Sequence, residues 1–330
     1  MTRRYVNELA HGDSVEELYL VADKQVRSNR QGNLYLQLDL RDKTGAINAR
    51  LWNVTDDLAN SFESGDYLQA KGKVQLFQGA LQIILSQIRP VSSSSVDADE
   101  FLPRSSRNIA ALLSQLREGL LSISDPYLRA LAECFLMDEP LLAKFAKAPA
   151  GVRAHHAYQG GLLEHVTTML IIARRIADLY PDLNRDLLLI GVFLHDIGKI
   201  HELSYEKGFS YTDEGQLIGH LVMGVEMLAE KTRQVETLIG EPFPPELLLR
   251  IKHMILSHHG ELQYGSPKEP MTLEAVALYY LDNLDSKVNA FAREIREDPH
   301  RDSRWTQFNV NMNRRLFKGG AGDTSSDGDE

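Results

Sequence analysis

Leu34-Tyr35-Leu36-Gln37-Leu38-Asp39-Leu40 puts leucine at every second position, the period of a strand with one buried face. Asp42-Lys43-Thr44-Gly45 supplies a turn, and Ala46-Ile47-Asn48-Ala49-Arg50-Leu51-Trp52 resumes the alternation, so this segment reads as a hairpin. Outward from it, a long strand is expected over about 15–27. A second hairpin is expected from strands 67–76 and 81–88 around the turn Phe77-Gln78-Gly79, and residues 54–62 read as a short helix.

Five strands with a helix between the third and fourth is the order of an OB barrel, a fold that often binds oligonucleotides across strands two and three. The alternation names that face. With Leu34, Leu36, Leu38, Leu40, Ile47, Ala49 and Leu51 pointing in, Tyr35, Gln37, Asn48, Arg50 and Trp52 point out. Tyr35, Arg50 and Trp52 form a candidate nucleic-acid platform, two rings for base stacking and one cation for phosphate.

The chain has 330 residues, 43% hydrophobic and 25% charged, which excludes a wholly disordered polymer and is long enough for two packed domains. Its net charge of −10 excludes the basic excess of a non-specific duplex coater. Residues 1–92 hold 11 Lys plus Arg and 11 Asp plus Glu, so the acid lies in the remainder. The lone cysteine, Cys134, forbids an intrachain disulfide and a cysteine-rich zinc site. No signal-like start and no apolar run near ~20 residues is present, so a cytoplasmic protein without membrane contact is expected.

Ser92-Ser93-Ser94-Ser95-Val96-Asp97-Ala98-Asp99-Glu100 is polar and reads as a break between domains. From Asn108 onward the apolar residues recur at three and four. The division is an N-terminal five-stranded OB-fold barrel over 1–92, a linker over 93–104 and a helical connector over 105–150. An all-helical domain over 151–312 and a disordered acidic tail over 313–330 complete it. Further helices are expected over 162–179, 185–194, 216–233, 245–257 and 272–295.

Nine of the eleven histidines fall between His155 and His259. His165, the pair His195-Asp196, His220, the pair His258-His259 and Asp282 sit on or at the ends of five expected helices. Imidazoles and carboxylates converging from several helices are the donor set for borderline divalent ions: neutral nitrogens plus an anionic oxygen able to bridge two of them. Burying so many titratable rings together without partners is costly, which favours a shared site. No Walker loop or dinucleotide glycine fingerprint is present.

The series His165, His195-Asp196, Asp282 resembles the H…HD…D signature of the HD-domain metal-dependent phosphohydrolases. The strings His155-His156-Ala157-Tyr158-Gln159-Gly160-Gly161-Leu162-Leu163-Glu164-His165, Ile218-Gly219-His220, Met254-Ile255-Leu256-Ser257-His258-His259-Gly260 and Tyr280-Leu281-Asp282-Asn283-Leu284-Asp285 are similar to those of the YhaM-type 3′-5′ exoribonucleases. Those proteins also carry an N-terminal OB domain. The resemblance covers about residues 5 to 310.

The resemblance implies that His165, His195, Asp196 and Asp282 hold one ion, with Asp196 bridging to a second held by His220, His258 and His259. Asp285 could take the place of Asp282 as ligand, but the family pattern favours the first aspartate, which leaves Asp285 to orient it or a histidine. Some three-metal relatives have a glutamate four residues before the first histidine, where this chain has Gly161, so two ions are expected. Manganese is the first choice; iron, cobalt and magnesium stay open. Asp196 and Lys199 are the catalytic candidates, with Lys199 lending charge to the phosphorane. His155, His156 or Tyr158 would grip a phosphate or terminal sugar, or else brace the ligands. His253 reads as structural, and His11, His201 and His300 receive no role. The implied function is 3′-5′ hydrolysis of single-stranded RNA to nucleoside 5′-monophosphates by a hydroxide activated between two ions roughly 3.5–4 Å apart, and the choice between RNA and single-stranded DNA stays open. Self-association would raise the effective concentration of a weak platform. Two other readings stay open: an HD phosphohydrolase of nucleotides or cyclic dinucleotides, and a non-catalytic nucleic-acid-binding protein.

Overall fold

The computed structural model describes residues 3–28, 32–77, 80–97, 100–152, 156–205, 208–298, 300, 303–310 and 312–319. Strands β1 (Ser14–Ser28), β2 (Leu34–Asp42), β3 (Gly45–Trp52), β4 (Tyr67–Phe77) and β5 (Ala80–Val91) close into a barrel in the order β1-β2-β3-β5-β4. Helix α1 (Asp56–Ala59) lies between β3 and β4, as the OB order requires. The alternation is what builds it. Leu36 faces Leu51, Leu38 faces Ala49 and Leu40 faces Ile47 in the antiparallel β2–β3 register, and all six are buried in the barrel core. Parallel pairing of β3 with β5 closes the ring, which removes any free edge.

The far end of the segment expected to be a linker is held against both the barrel and the helical part. Phe101 and Leu102 are buried against Leu20 and Tyr67 on the barrel, with Phe101 edge-on to the Tyr67 ring at 4.9 Å. Just beyond, the Gln159 N–H donates to the Pro103 carbonyl at 2.8 Å. Only the serine-rich start behaves as the composition reads.

The helical part comprises α2 (Ile109–Leu121), α3 (Pro126–Leu136), α4 (Glu139–Lys147), α5 (Gly161–Ala177), α6 (Arg185–Leu194) and α7 (Lys199–Glu202). A small hairpin of β6 (Leu203–Ser204) and β7 (Ser210–Tyr211) follows, then α8 (Asp213–Leu217), α9 (His220–Ile239), α10 (Pro245–Ser257) and α11 (Leu273–Glu297). Asn108, Asp125, Asp138, Asn184 and Thr272 cap their helices by accepting from backbone N–H groups, which fixes where each begins. The connector helices α2–α4 share one core with the rest: Phe135 and Phe145 both pack edge-on against Phe193 of α6. Every residue of α6 from Leu187 to Leu194 is buried, so it is the central helix and delivers whatever follows Leu194 into the interior. The continuous helix expected over 216–233 is broken: the chain turns at Gly219, φ 81°, and α9 starts on His220.

The tail expected from residue 313 starts too early. Leu316 is buried, and residues 304–310 pair with 312–318 through Trp305 with Phe317 and Asn309 with Arg314. Residues 320–330 lie outside the described residues. Among the described residues no helix is long and apolar enough to cross a membrane.

Candidate metal centre

Helix ends create this site. His195 and His258 are the C-cap residues of α6 and α10, where carbonyls of the last turn lack helical partners. Each ring Nδ1–H donates to the carbonyl three residues back, Val192 and Ile255, both at 2.8 Å. That bond places the proton on Nδ1 and leaves the Nε2 lone pair aimed at the centre. Carboxylates do the same for the other two rings. Asp285 Oδ2 accepts from His165 Nδ1 at 2.7 Å, and Glu202 Oε1 accepts from His220 Nδ1 at 2.8 Å and from the His220 backbone N–H at 3.0 Å.

Four Nε2 atoms therefore converge on Asp196, which is 2% exposed. Its Oδ2 lies 3.3 Å from His195 Nε2 and 3.9 Å from His165 Nε2, while its Oδ1 lies 3.5 Å from both His220 Nε2 and His258 Nε2. Asp282 Oδ1 is 3.3 Å from His165 Nε2. Asp196 Oδ1, His220 Nε2 and His259 Nδ1 are buried without a hydrogen-bond partner. Buried acceptors facing one another are unfavourable unless a cation lies between them, so the donor set fits divalent ions. Three mutually close groups carry it: His165, His195 and Asp282; His195, Asp196 and His258; His220, His258 and His259. A fourth group, His156, His165 and Asp285, is joined by direct hydrogen bonds and is a brace.

Electrostatics agrees with that use. Burial opposes the Asp196 carboxylate, but Lys199 and His195 outweigh it and hold the carboxyl well below its usual range. Burial holds His220 and His258 below the ordinary imidazole range, and burial with His258 alongside pushes His259 down to about 4. His165 differs. Burial disfavours its imidazolium, yet Asp282 and Asp285 prevail and push it up to about 9 in the metal-free protein. At pH 7 that ring is charged and must lose its proton to coordinate. Loading the centre with Mn²⁺ at pH 7 should release about one proton, read as the buffer dependence of the calorimetric heat. The release should fade above pH 9; a buffer-independent heat at pH 7 would contradict it.

The remaining expectations divide. His156 is 4% exposed, accepts from the Tyr158 hydroxyl at 2.7 Å and donates to Asp285 at 2.9 Å, so this pair braces the ligands and offers no free grip to a phosphate. His155 lies outside the described residues. Lys199 Nζ donates to Asp196 Oδ2 at 2.7 Å and to the Ala150 carbonyl at 2.8 Å, so it holds the Asp196 carboxylate in place. His253, His11 and His300 have protein partners away from the centre. No side chain fits at Gly161: a Cβ there would sit 2.0 Å from the His156 carbonyl oxygen.

A cleft of about 420 Å³ opens beside His258, His259 and Asp282 and is walled by Tyr264, Asn283 and Lys287. None of these three walls, nor Glu202, was read from the sequence. Glu202 is on the short stretch following His195-Asp196, and its carboxylate so near the pair was the available signal. Its removal is testable: Glu202→Gln should weaken metal binding by roughly 10- to 100-fold, measured by competition with a chelating dye, while leaving the metal-free melting temperature within a few degrees.

On the barrel, Tyr35 and Trp52 are register partners with ring centroids 4.8 Å apart, and Trp52 is 42% exposed. The Arg50 guanidinium lies 5.5 Å from the Phe77 ring, adding an exposed aromatic that the sequence reading had placed in a turn.

The helical fold with this histidine and aspartate cluster defines an HD-domain protein: residues 162–287 match the HD domain family, and residues 21–91 match an OB-fold nucleic acid binding domain family. The chain belongs to the YhaM 3′-5′ exoribonuclease family. It is 35% identical over 287 residues to the 3′-5′ exoribonuclease YhaM of Bacillus subtilis, covering 86% of this chain and 88% of that one. It is 34% identical over 287 residues to the YhaM of Geobacillus sp., covering 86% of each. Among solved structures, a domain of replication protein A from Methanococcus maripaludis matches 28% of this chain and 99% of its own length at 26% identity, with a TM-score of 0.25.

Proposed function

We propose that the chain is a metal-dependent 3′-5′ exoribonuclease that shortens single-stranded RNA, and single-stranded DNA as a second substrate, to nucleoside 5′-monophosphates. The observation that carries this is Asp196, whose two oxygens face two separate sets of imidazole Nε2 atoms beside an open cleft. His165, His195, Asp196 and Asp282 would hold one ion and His220, His258 and His259 a second, with manganese the first choice for mixed nitrogen and oxygen donors. When bound, such a pair supplies an activated water and charge at the oxygens of an in-line displacement at phosphorus.

The chain's own residues do the rest. Val192, Ile255, Asp285 and Glu202 fix four rings in one tautomer each, and Lys199 holds Asp196 in place. Lys287 and Tyr264 at the cleft wall suit a phosphate and a base of the terminal nucleotides. Tyr35, Trp52, Arg50 and Phe77 hold the strand further along by stacking and charge.

The test uses a 5′-labelled single strand with chelator-stripped protein. Added Mn²⁺ should produce a ladder shortening from the 3′ end and release 5′-monophosphates. A strand that stays intact while cyclic dinucleotides are hydrolysed would replace this reading with the nucleotide phosphohydrolase.

A further inference from the structure

Residues 303–310 and 312–318 lie beyond both matched domains and pair as an irregular antiparallel hairpin. The Thr306 N–H donates to the Leu316 carbonyl at 2.9 Å, the Asn309 N–H to the Arg314 carbonyl at 3.0 Å, and the Lys318 N–H to the Arg304 carbonyl at 2.8 Å. Its base is anchored: Asp298, just past α11, accepts from Lys318 Nζ and from the Gln307 N–H, both at 2.8 Å, and Thr306 and Leu316 are buried.

The outer face has a different character. Trp305, Phe308 and Phe317 are each about half exposed, and the Trp305 and Phe317 rings lie 5.0 Å apart with the Arg304 guanidinium 4.9 Å from the Phe317 centroid. In a chain of net charge −10, residues 303–318 contain four Lys plus Arg and no Asp or Glu. Among the described residues, Arg304 and Arg315 are exposed and in no ion pair. Exposed rings interleaved with arginines outside any ion pair match stacked bases on a phosphate chain.

We propose that this hairpin is a second contact surface for single-stranded nucleic acid, separate from the barrel platform, with Trp305, Phe308 and Phe317 stacking bases and Arg304, Arg314 and Arg315 meeting phosphates. The proposal rests on the exoribonuclease reading for its ligand. It places binding residues on both sides of the helical domain's sequence, so the strand is held by elements before and after the metal ligands.

Trp52 and Trp305 are the two tryptophans of the chain, which makes each surface separately visible. In Trp52→Phe full-length protein held in EDTA, titration with a uridine oligomer should quench Trp305 emission saturably, and high salt should reverse it. The double variant Arg304→Glu/Arg315→Glu should bind a labelled oligomer about tenfold more weakly, with the slope of log affinity against log salt shallower by ~1.4. Unmoved Trp305 emission while anisotropy shows the strand bound overturns the hairpin alone, as does a double variant with unchanged affinity and slope. Failure of the unaltered chain to bind any single strand removes the function above and this surface with it.

Discussion

Asp196→Asn should abolish both metal loading and RNA hydrolysis, with turnover falling by roughly 10⁴-fold, about 5.5 kcal/mol of transition-state stabilisation. The reasoning starts from geometry. The carboxylate reaches two ligand groups at once, one oxygen toward His165 and His195 and the other toward His220 and His258. An amide of equal size keeps the shape and loses the charge that compensates two cations. It also turns one acceptor into a donor facing imidazole nitrogens or the Lys199 ammonium. Lys199 is raised above its ordinary value because Asp196 outweighs burial, so the substitution leaves a buried ammonium with a neutral partner, and removing one partner of a buried pair costs ~3–5 kcal/mol at the upper end. The metal-free melting temperature should therefore fall as well. Asp282→Asn is the comparison: its carboxylate serves one group only, so half the metal content should remain. Elemental analysis of both variants decides the matter. Two ions retained in Asp196→Asn, or activity within tenfold of the unaltered chain, would end the bridging role.

The second large effect comes from a residue with no side chain. A Cβ at Gly198 would lie 2.2 Å from the backbone carbonyl oxygen of His220 and 2.9 Å from its Cα. The obstacle is main chain, so no rotamer relieves it, and α7 and α9 must part by about 1 Å to restore ordinary contact. His220 is the first residue of α9 and moves with it, which withdraws its Nε2 from Asp196. Gly198→Ala should thus lower stability by about 3 kcal/mol, roughly 6–12 °C in Tm, and lose one of the two ions. Gly224→Ala, whose Cβ meets only ordinary contacts from 3.4 Å outward, is the control and should do neither. Normal metal content in Gly198→Ala would show that the two helices separate without carrying His220 along.

What the sequence showed of this protein follows from how far each signal reaches along the chain. The barrel was legible because a strand with one buried face writes its period into adjacent residues, and β2 and β3 keep that period without a slip. The cluster was legible through residue type: five imidazoles and two carboxylates are costly to bury together and rarely gathered without a shared purpose. Glu202, Lys287 and Tyr264 stayed hidden because a bracing carboxylate or a cleft wall is defined by what other helices bring beside it. The break at Gly219 was hidden for a related reason, since apolar spacing runs smoothly across it while the Glu202 carboxylate claims the first N–H of α9. Phe101 and Leu102 are two residues, too few to show a period, yet they tie the polar break to the barrel.

Gly161 closes a route as well as a space. The His156 carbonyl that excludes a side chain there also accepts from the Ala150 N–H, and the Ala150 carbonyl in turn receives Lys199. A glutamate at this position would displace that carbonyl and, through it, the lysine that holds Asp196. A side chain at position 161 is therefore tolerable only if the His156 carbonyl moves, and the links through Ala150 to Lys199 and Asp196 must move with it.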